Sequence, residues 1–225
     1  MTIDMKTDPF VHLHVHSLYS KFDGTCYIPG LFEECRRLGM PGFALTDHGT
    51  IAGVNELFEV AKDYPDVKPI AGCEIYLTDH YDHRIKDENH LRCFHLILLA
   101  KNLTGYRNLK SIVDESWKAG YYRGRPRISH EVVAAYREGL VCTSACIGGE
   151  VAQTILAGDM DAARNAVQWY RDVFGEDFYL EIDLQPNTVE NRIYPKQKIV
   201  AEQISILEHN RQISAEVLAK YLPSD

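Results

Sequence analysis

The chain has 225 residues, 45% hydrophobic and 25% charged, which suits one globular domain over residues 1–225 with its own core. No run of about 18 apolar residues occurs, so no membrane span is expected. The net charge of −8 counts against a simple phosphate-gripping nucleic-acid binder, but less against an enzyme whose bound cations supply the positive field.

Residues 1–9 are polar and lack the apolar core of a secretory signal. The six cysteines have no tight framework spacing and read as reduced thiols in a cytoplasm. Residues 10–16, Phe-Val-His-Leu-His-Val-His, read as a strand. Residues 29–38 read as a helix, with Pro29 near its start and Gly39 beyond its end. A second strand covers 42–46, and Val54, Leu57, Phe58 and Ala61 follow at helical spacing. Residues 69–77 and 94–100 are the third and fourth strands. Thr104 is expected to cap a helix carrying Leu109, Ile112, Val113 and Trp117.

A helix opened by Ser129 precedes a fifth strand at 139–143. Helices at about 150–156 and 160–174 lead to a sixth strand at 178–182, and a last helix is expected from 197 to 207. Alternating strand and helix predicts a parallel α/β sheet, and six strands with polar residues at their C-terminal ends favour a barrel.

The chemistry begins with His12, His14 and His16. Alternate residues of a strand share a face, so two neighbours among them can grip one ion. Asp23 follows closely. Thr46-Asp47-His48-Gly49 ends the second strand, and Glu74 sits inside an apolar run, where a carboxylate is costly unless paired or metal-bound. His95 opens the fourth strand, and Cys146 follows the fifth. In a parallel barrel such positions converge on one face. Imidazole, carboxylate and thiolate together suit zinc, or manganese or iron where oxygen ligands dominate. Lys118, Arg123, Arg125 and Arg127 flank Tyr121 and Tyr122 in a loop. They read either as a cradle for a single DNA strand or as a solvated basic loop.

These motifs resemble the polymerase-and-histidinol-phosphatase (PHP) domains, in the branch found at the N-terminus of bacterial DNA polymerase III α subunits. FVHLHVHSLYSKFDG, MPGFALTDHGTIAGV, KPIAGCEIYL, FHLILLAKNLTGYRNL, GLVCTSACIGGE and FGEDFYLEI carry the resemblance, over about residues 8–183. It implies a distorted seven-stranded (β/α) barrel holding two or three divalent ions. By the same resemblance His14, His16, Asp23, His48, Glu74, His95 and Cys146 are metal ligands. Glu74 bridges two ions, and Asp23 and His48 hold a third. His12 matches no ligand position.

The implied activity is metal-dependent phosphoester hydrolysis by Glu74, Asp23 and His48, acting on a DNA 3′ end beside other replication proteins in the cytoplasm. A phosphate monoesterase and a non-catalytic, metal-stabilised scaffold are the other readings. The family's closing Asp-X-His strand has no counterpart after residue 183, and His209 lacks its context, so the seventh strand is expected to be missing or divergent. Polymerase domains are absent from the sequence.

Overall fold

An eleven-residue strand, β2 (Lys68–Thr78), runs through the middle of a seven-stranded sheet. The structure is a computed structural model that describes residues 10–21, 23–78, 82–87 and 92–181. Parallel to β2 lie β1 (Gly42–Leu45), along residues 68–71, and β5 (Arg125–Ile128), along residues 76–77. On the other side β3 (Cys93–Ala100) runs antiparallel to β2. Beyond it come β6 (Leu140–Thr143), antiparallel to β3, and β7 (Phe178–Tyr179), parallel to β6.

The sheet is therefore mixed α/β rather than all-parallel, because β3 is reversed. That reversal brings the start of β3 to the same end as the C-termini of β1, β2 and β6.

Within β2 the side chains alternate. Cys73, Ile75 and Leu77 enter the large core beneath the helices, while Glu74 faces the opposite side. That core joins β2, β3 and β6 to α3 (Leu103–Lys118), α4 (His130–Ala135), α5 (Glu150–Leu156) and α6 (Met160–Phe174). A second core packs Ile28, Phe32 and Cys35 of α1 (Ile28–Leu38) and Leu57 of α2 (Val54–Val60) on Phe43 and Leu45. Burial of several large apolar side chains in each, at about 1.5–3 kcal/mol apiece, fixes the helices to the sheet.

The helix ends show why the sequence breaks where it does. Pro29 starts α1, and Gly39 ends it in the left-handed region. The cap of α3 is Asn102, whose side chain accepts from the Gly105 amide, so Thr104 is not the cap.

Three further expectations are corrected. Residues 10–16 form no registered strand. They run extended beside β1, held by the Ala44 amide to His12 (2.8 Å), the Thr46 amide to Val15 (2.9 Å) and one bridge from His12 to Phe43. The basic loop is a hairpin of β4 (Tyr121–Tyr122) and β5 joined by Arg123 and Gly124, both at positive φ, as a two-residue type I′ connection requires. Among the described residues the hydrogen-bonded sheet is open and not a closed barrel; its seven strands include the hairpin. The expected helix at 197–207, His209 and the position of any seventh barrel strand lie outside the described residues.

Candidate metal centre

Two side chains fasten the segment bearing His14 and His16 to the end of β1. Thr46 Oγ1 accepts from the Val15 amide (2.9 Å). Buried Asp47 accepts from the Ser17 amide (2.7 Å), Ser17 Oγ (2.8 Å) and Ser20 Oγ (2.7 Å). Ser20 Oγ in turn accepts from the His48 amide (3.1 Å). Gly49 then turns at φ +60, where a Cβ would stand 2.5 Å from Pro126, so only glycine follows His48 without strain. After β6, Ala145 takes the left-handed conformation at φ 56, which costs a non-glycine residue about 1–2 kcal/mol. The turn carries Cys146 toward β3, where Gly148 O accepts from the His95 amide.

These elements converge on Glu74, which is 1% exposed. Glu74 Oε1 lies 2.6 Å from His95 Nδ1 and 3.9 Å from Cys146 Sγ. Glu74 Oε2 lies 3.2 Å from His14 Nε2, 3.0 Å from His16 Nε2 and 3.0 Å from His48 Nδ1. Two metal-competent groups share this carboxylate, His14–His16–Glu74 and His48–Glu74–His95. Asp23 Oδ2 approaches His48 Nε2 at 2.7 Å, but its side chain is 66% exposed. Cys146 Sγ lies 3.7 Å from His95 Nδ1.

Among the described residues, Glu74 Oε2 and His48 Nδ1 are buried without a hydrogen-bond partner despite this crowding. Buried polar atoms are rarely left so. Ligand atoms gathered within 4.8 Å of one another, two of them buried and unpartnered, form a donor set that a divalent cation would satisfy, and the N/O/S donors fit zinc, manganese or iron.

The charges agree. Burial alone would raise the Glu74 carboxyl, but His14, His16 and His95 outweigh it and hold the group well below the carboxylate range. Burial opposes charge on His14 too, yet Glu181 and Glu74 push it up to about 10. Cys146 and Glu74 carry His95 up to about 9 against the same penalty. Burial dominates at His48 and lowers it.

The family model for the PHP domain matches residues 12–185. The chain belongs to the PHP domain family. It is 41% identical over 192 residues to the DNA polymerase III subunit alpha of Borreliella burgdorferi, covering 85% of this chain and 16% of that protein. It is 38% identical over 199 residues to the same subunit of Saccharopolyspora erythraea, covering 79% and 16%. This PHP domain thus spans about a sixth of the length of those relatives. Among solved structures, a provisionally assigned metal-dependent phosphoesterase from Bifidobacterium adolescentis aligns at a TM-score of 0.41 and 14% identity, over 87% of this chain and 98% of that one. A likeness of that degree bears on neither substrate nor mechanism.

Within the PHP domain, five of the seven expected ligands (His14, His16, His48, Glu74 and His95) stand in the two convergent groups, and Asp23 and Cys146 adjoin them. The basic residues divide. Arg127 is 2% exposed, and its guanidinium donates to the carbonyls of Gly120 (3.4 Å), His83 (3.5 Å) and Ile85 (2.6 Å). Its burial makes Arg127 a structural tie: from within β5 its side chain fastens the hairpin to Gly120, His83 and Ile85. Arg123 and Arg125 stay exposed, while Lys118 pairs with Asp114 at 2.5 Å. Arg125 lies 5.8 Å from the centre of the Tyr76 ring, which stacks on His48. The hairpin therefore abuts the metal-competent groups.

Two residues beside the ligands escaped sequence reading. Asp47 fixes the first loop, and its only signal was the quoted Thr-Asp-His run. Glu181 touches His14 (2.6 Å) from beyond β7. The period-two pattern of 178–181 puts it on the face of Tyr179, opposite Phe178 and Leu180 in the helix-side core.

Proposed function

We propose that this PHP domain is a metal-dependent phosphoesterase that hydrolyses the phosphodiester at a DNA 3′ end, working beside replication proteins in the cytoplasm. One observation carries the reading: a single buried carboxylate, Glu74, is common to two metal-competent groups, its Oε2 meeting His14, His16 and His48 and its Oε1 meeting His95. That arrangement suits a carboxylate shared between two ions. His14 and His16 would hold one ion and His48 and His95 the other, with Asp23 and Cys146 completing the set. Bound divalent ions would supply Lewis acidity and neutralise charge on the phosphoryl and leaving oxygens.

The chain's own residues do the rest. Asp47 and Ser20 keep the first loop in place, so the imidazoles need little rearrangement. Arg125, on the rim beside Tyr76, would hold a phosphate, and Tyr121 and Trp117, both exposed and stacked at 5.2 Å, would take an unpaired base. The relatives are DNA polymerase subunits, which favours DNA over a small monoester.

The test uses the purified chain, a single-stranded oligonucleotide labelled at its 3′ end, and added zinc or manganese. Metal-dependent release of single labelled nucleotides is the expected result. Turnover of small phosphomonoesters alone would move the assignment to a monoesterase. Stoichiometric metal with no turnover on any phosphoester would leave a metal-stabilised scaffold.

A further inference from the structure

The imidazoles around Glu74 differ in what holds their far side. His16 Nδ1 has only Ser20 Oγ at 3.4 Å. His48 Nε2 meets Asp23, a largely exposed carboxylate. His14 Nδ1 meets Glu181 Oε1 at 2.6 Å, and the Glu181 side chain is 19% exposed.

Glu181 is itself held twice. Its Oε2 accepts from Thr143 Oγ1 at 2.5 Å, and its amide donates to Ser144 Oγ at 2.9 Å. Both partners sit at the end of β6 or just after it, where the Ser144 amide also donates to Tyr179 O at 3.1 Å. A carboxylate fixed in this way offers His14 Nδ1 a stationary acceptor. With a proton kept on Nδ1, only Nε2, which faces Glu74 Oε2, loses its proton when a cation binds and offers the cation a lone pair. Outer carboxylates of this kind fix ring orientation and tautomer and make the imidazole a stronger donor.

We propose that Glu181 is the positioning residue of His14: from the far edge of the open sheet it fixes the tautomer and ring plane with which His14 meets a metal ion. The role rests on the metal-centre reading above. It also links two separate parts of the sheet, because His14 lies beside β1 and Glu181 just past β7. Among the described residues, the segment beside β1 and the segment after β7, on strands that do not pair with each other, are joined through one imidazole.

The test is metal binding by the full chain, with zinc affinity read by competition against a chromophoric chelator and stoichiometry by elemental analysis. Glu181→Ala is expected to weaken one ion about 10–100-fold, with the full complement still bound at saturation. Glu181→Gln keeps an acceptor oxygen and should recover most of the affinity. Thr143→Val removes only the support of Glu181 and should show a smaller loss. It keeps the question answerable if the alanine variant does not fold. The ring-nitrogen NMR signals of His14 should report a protonated Nδ1 in the zinc-loaded chain and a tautomer mixture in Glu181→Ala.

Unchanged affinity in Glu181→Ala, with the wild type binding metal, would overturn this role and leave the centre intact. Loss of a whole ion at saturation that glutamine does not rescue would overturn it in favour of direct ligation. A wild-type chain that binds no metal would sink the centre and this role together.

Discussion

Glu74 and His95 meet on the same face of two antiparallel strands: Ile97 lies opposite Glu74 in the register, and His95, two residues earlier, brings Nδ1 to 2.6 Å from Glu74 Oε1. The contact is a diagonal cross-strand pair, set by backbone register rather than by a flexible loop. Its partner oxygen is held by a different route, through histidines of the segment beside β1 and the turn after it.

Glu74→Gln should therefore act on both metal groups at once. The amide keeps the size of the side chain but loses the charge that two ions would share. We expect metal content at saturation to fall and phosphoester hydrolysis to drop by on the order of a hundredfold or more, since the cations' electrostatic contribution is several kcal/mol. Full metal stoichiometry in the variant would exclude Glu74 from the centre.

Metal should also stabilise the fold, because the ligands come from segments far apart in the chain. At a metal concentration about 100 times Kd, linkage gives about 2.7 kcal/mol. For a chain of this size that corresponds to a Tm rise of roughly 5–11 °C. Differential scanning calorimetry with zinc or manganese against excess chelator measures it, and superimposable melts would mean that no ion binds the folded state preferentially.

How far the sequence disclosed this centre varies by residue. His14, His16, His48 and Glu74 were legible because alternation along a strand and the end of an apolar run are local signals. His95 looked misplaced, at the start of its strand, under the expectation of a parallel barrel. The reversal of β3, a long-range pairing with no local signature, turns that start into the correct end. Arg127 and Arg125 are two residues apart on the same strand, yet one side chain is buried and the other stands on the rim. Composition cannot separate them, because burial is decided by what packs above. Glu181 lay inside a recognised strand, but its partner His14 is 167 residues away, a separation that periodicity does not reach.

The imidazoles give the centre a pH dependence with two opposite signs. His14, at about 10, and His95, at about 9, are raised above their ordinary 6.5. The contacts of His14 with Glu181 and Glu74, and of His95 with Cys146 and Glu74, therefore add stability that is full below 6.5 and is lost as pH rises through about 9 and 10. Glu74 is depressed, so its contribution is present above its ordinary 4.5 and is lost as pH falls from there. Under chelator, thermal stability from these groups should peak between about 4.5 and 6.5 and decline toward alkaline pH. With metal in excess the alkaline decline should shrink, because the cation replaces those protons and its apparent affinity rises as they leave. Melts across that range, with and without metal, read both; a decline equally steep in the two series would refute the competition.

Arg125 and Arg127 provide the sharpest separation of surface from structure. Arg127→Ala would strip three carbonyls of a buried donor, at a cost of about 3 kcal/mol. Its Tm should fall by roughly 6–12 °C. Arg125→Ala removes an exposed guanidinium resting on Tyr76 and should change stability by no more than about 0.5 kcal/mol. If Arg125 grips a phosphate of a single strand, its loss should weaken oligonucleotide binding and flatten the log–log salt dependence by about 0.7. Binding measured by fluorescence anisotropy over a salt series, alongside the melts, distinguishes the two residues. An Arg125→Ala chain with wild-type affinity and slope would remove the hairpin from the substrate path, whatever the metal centre does.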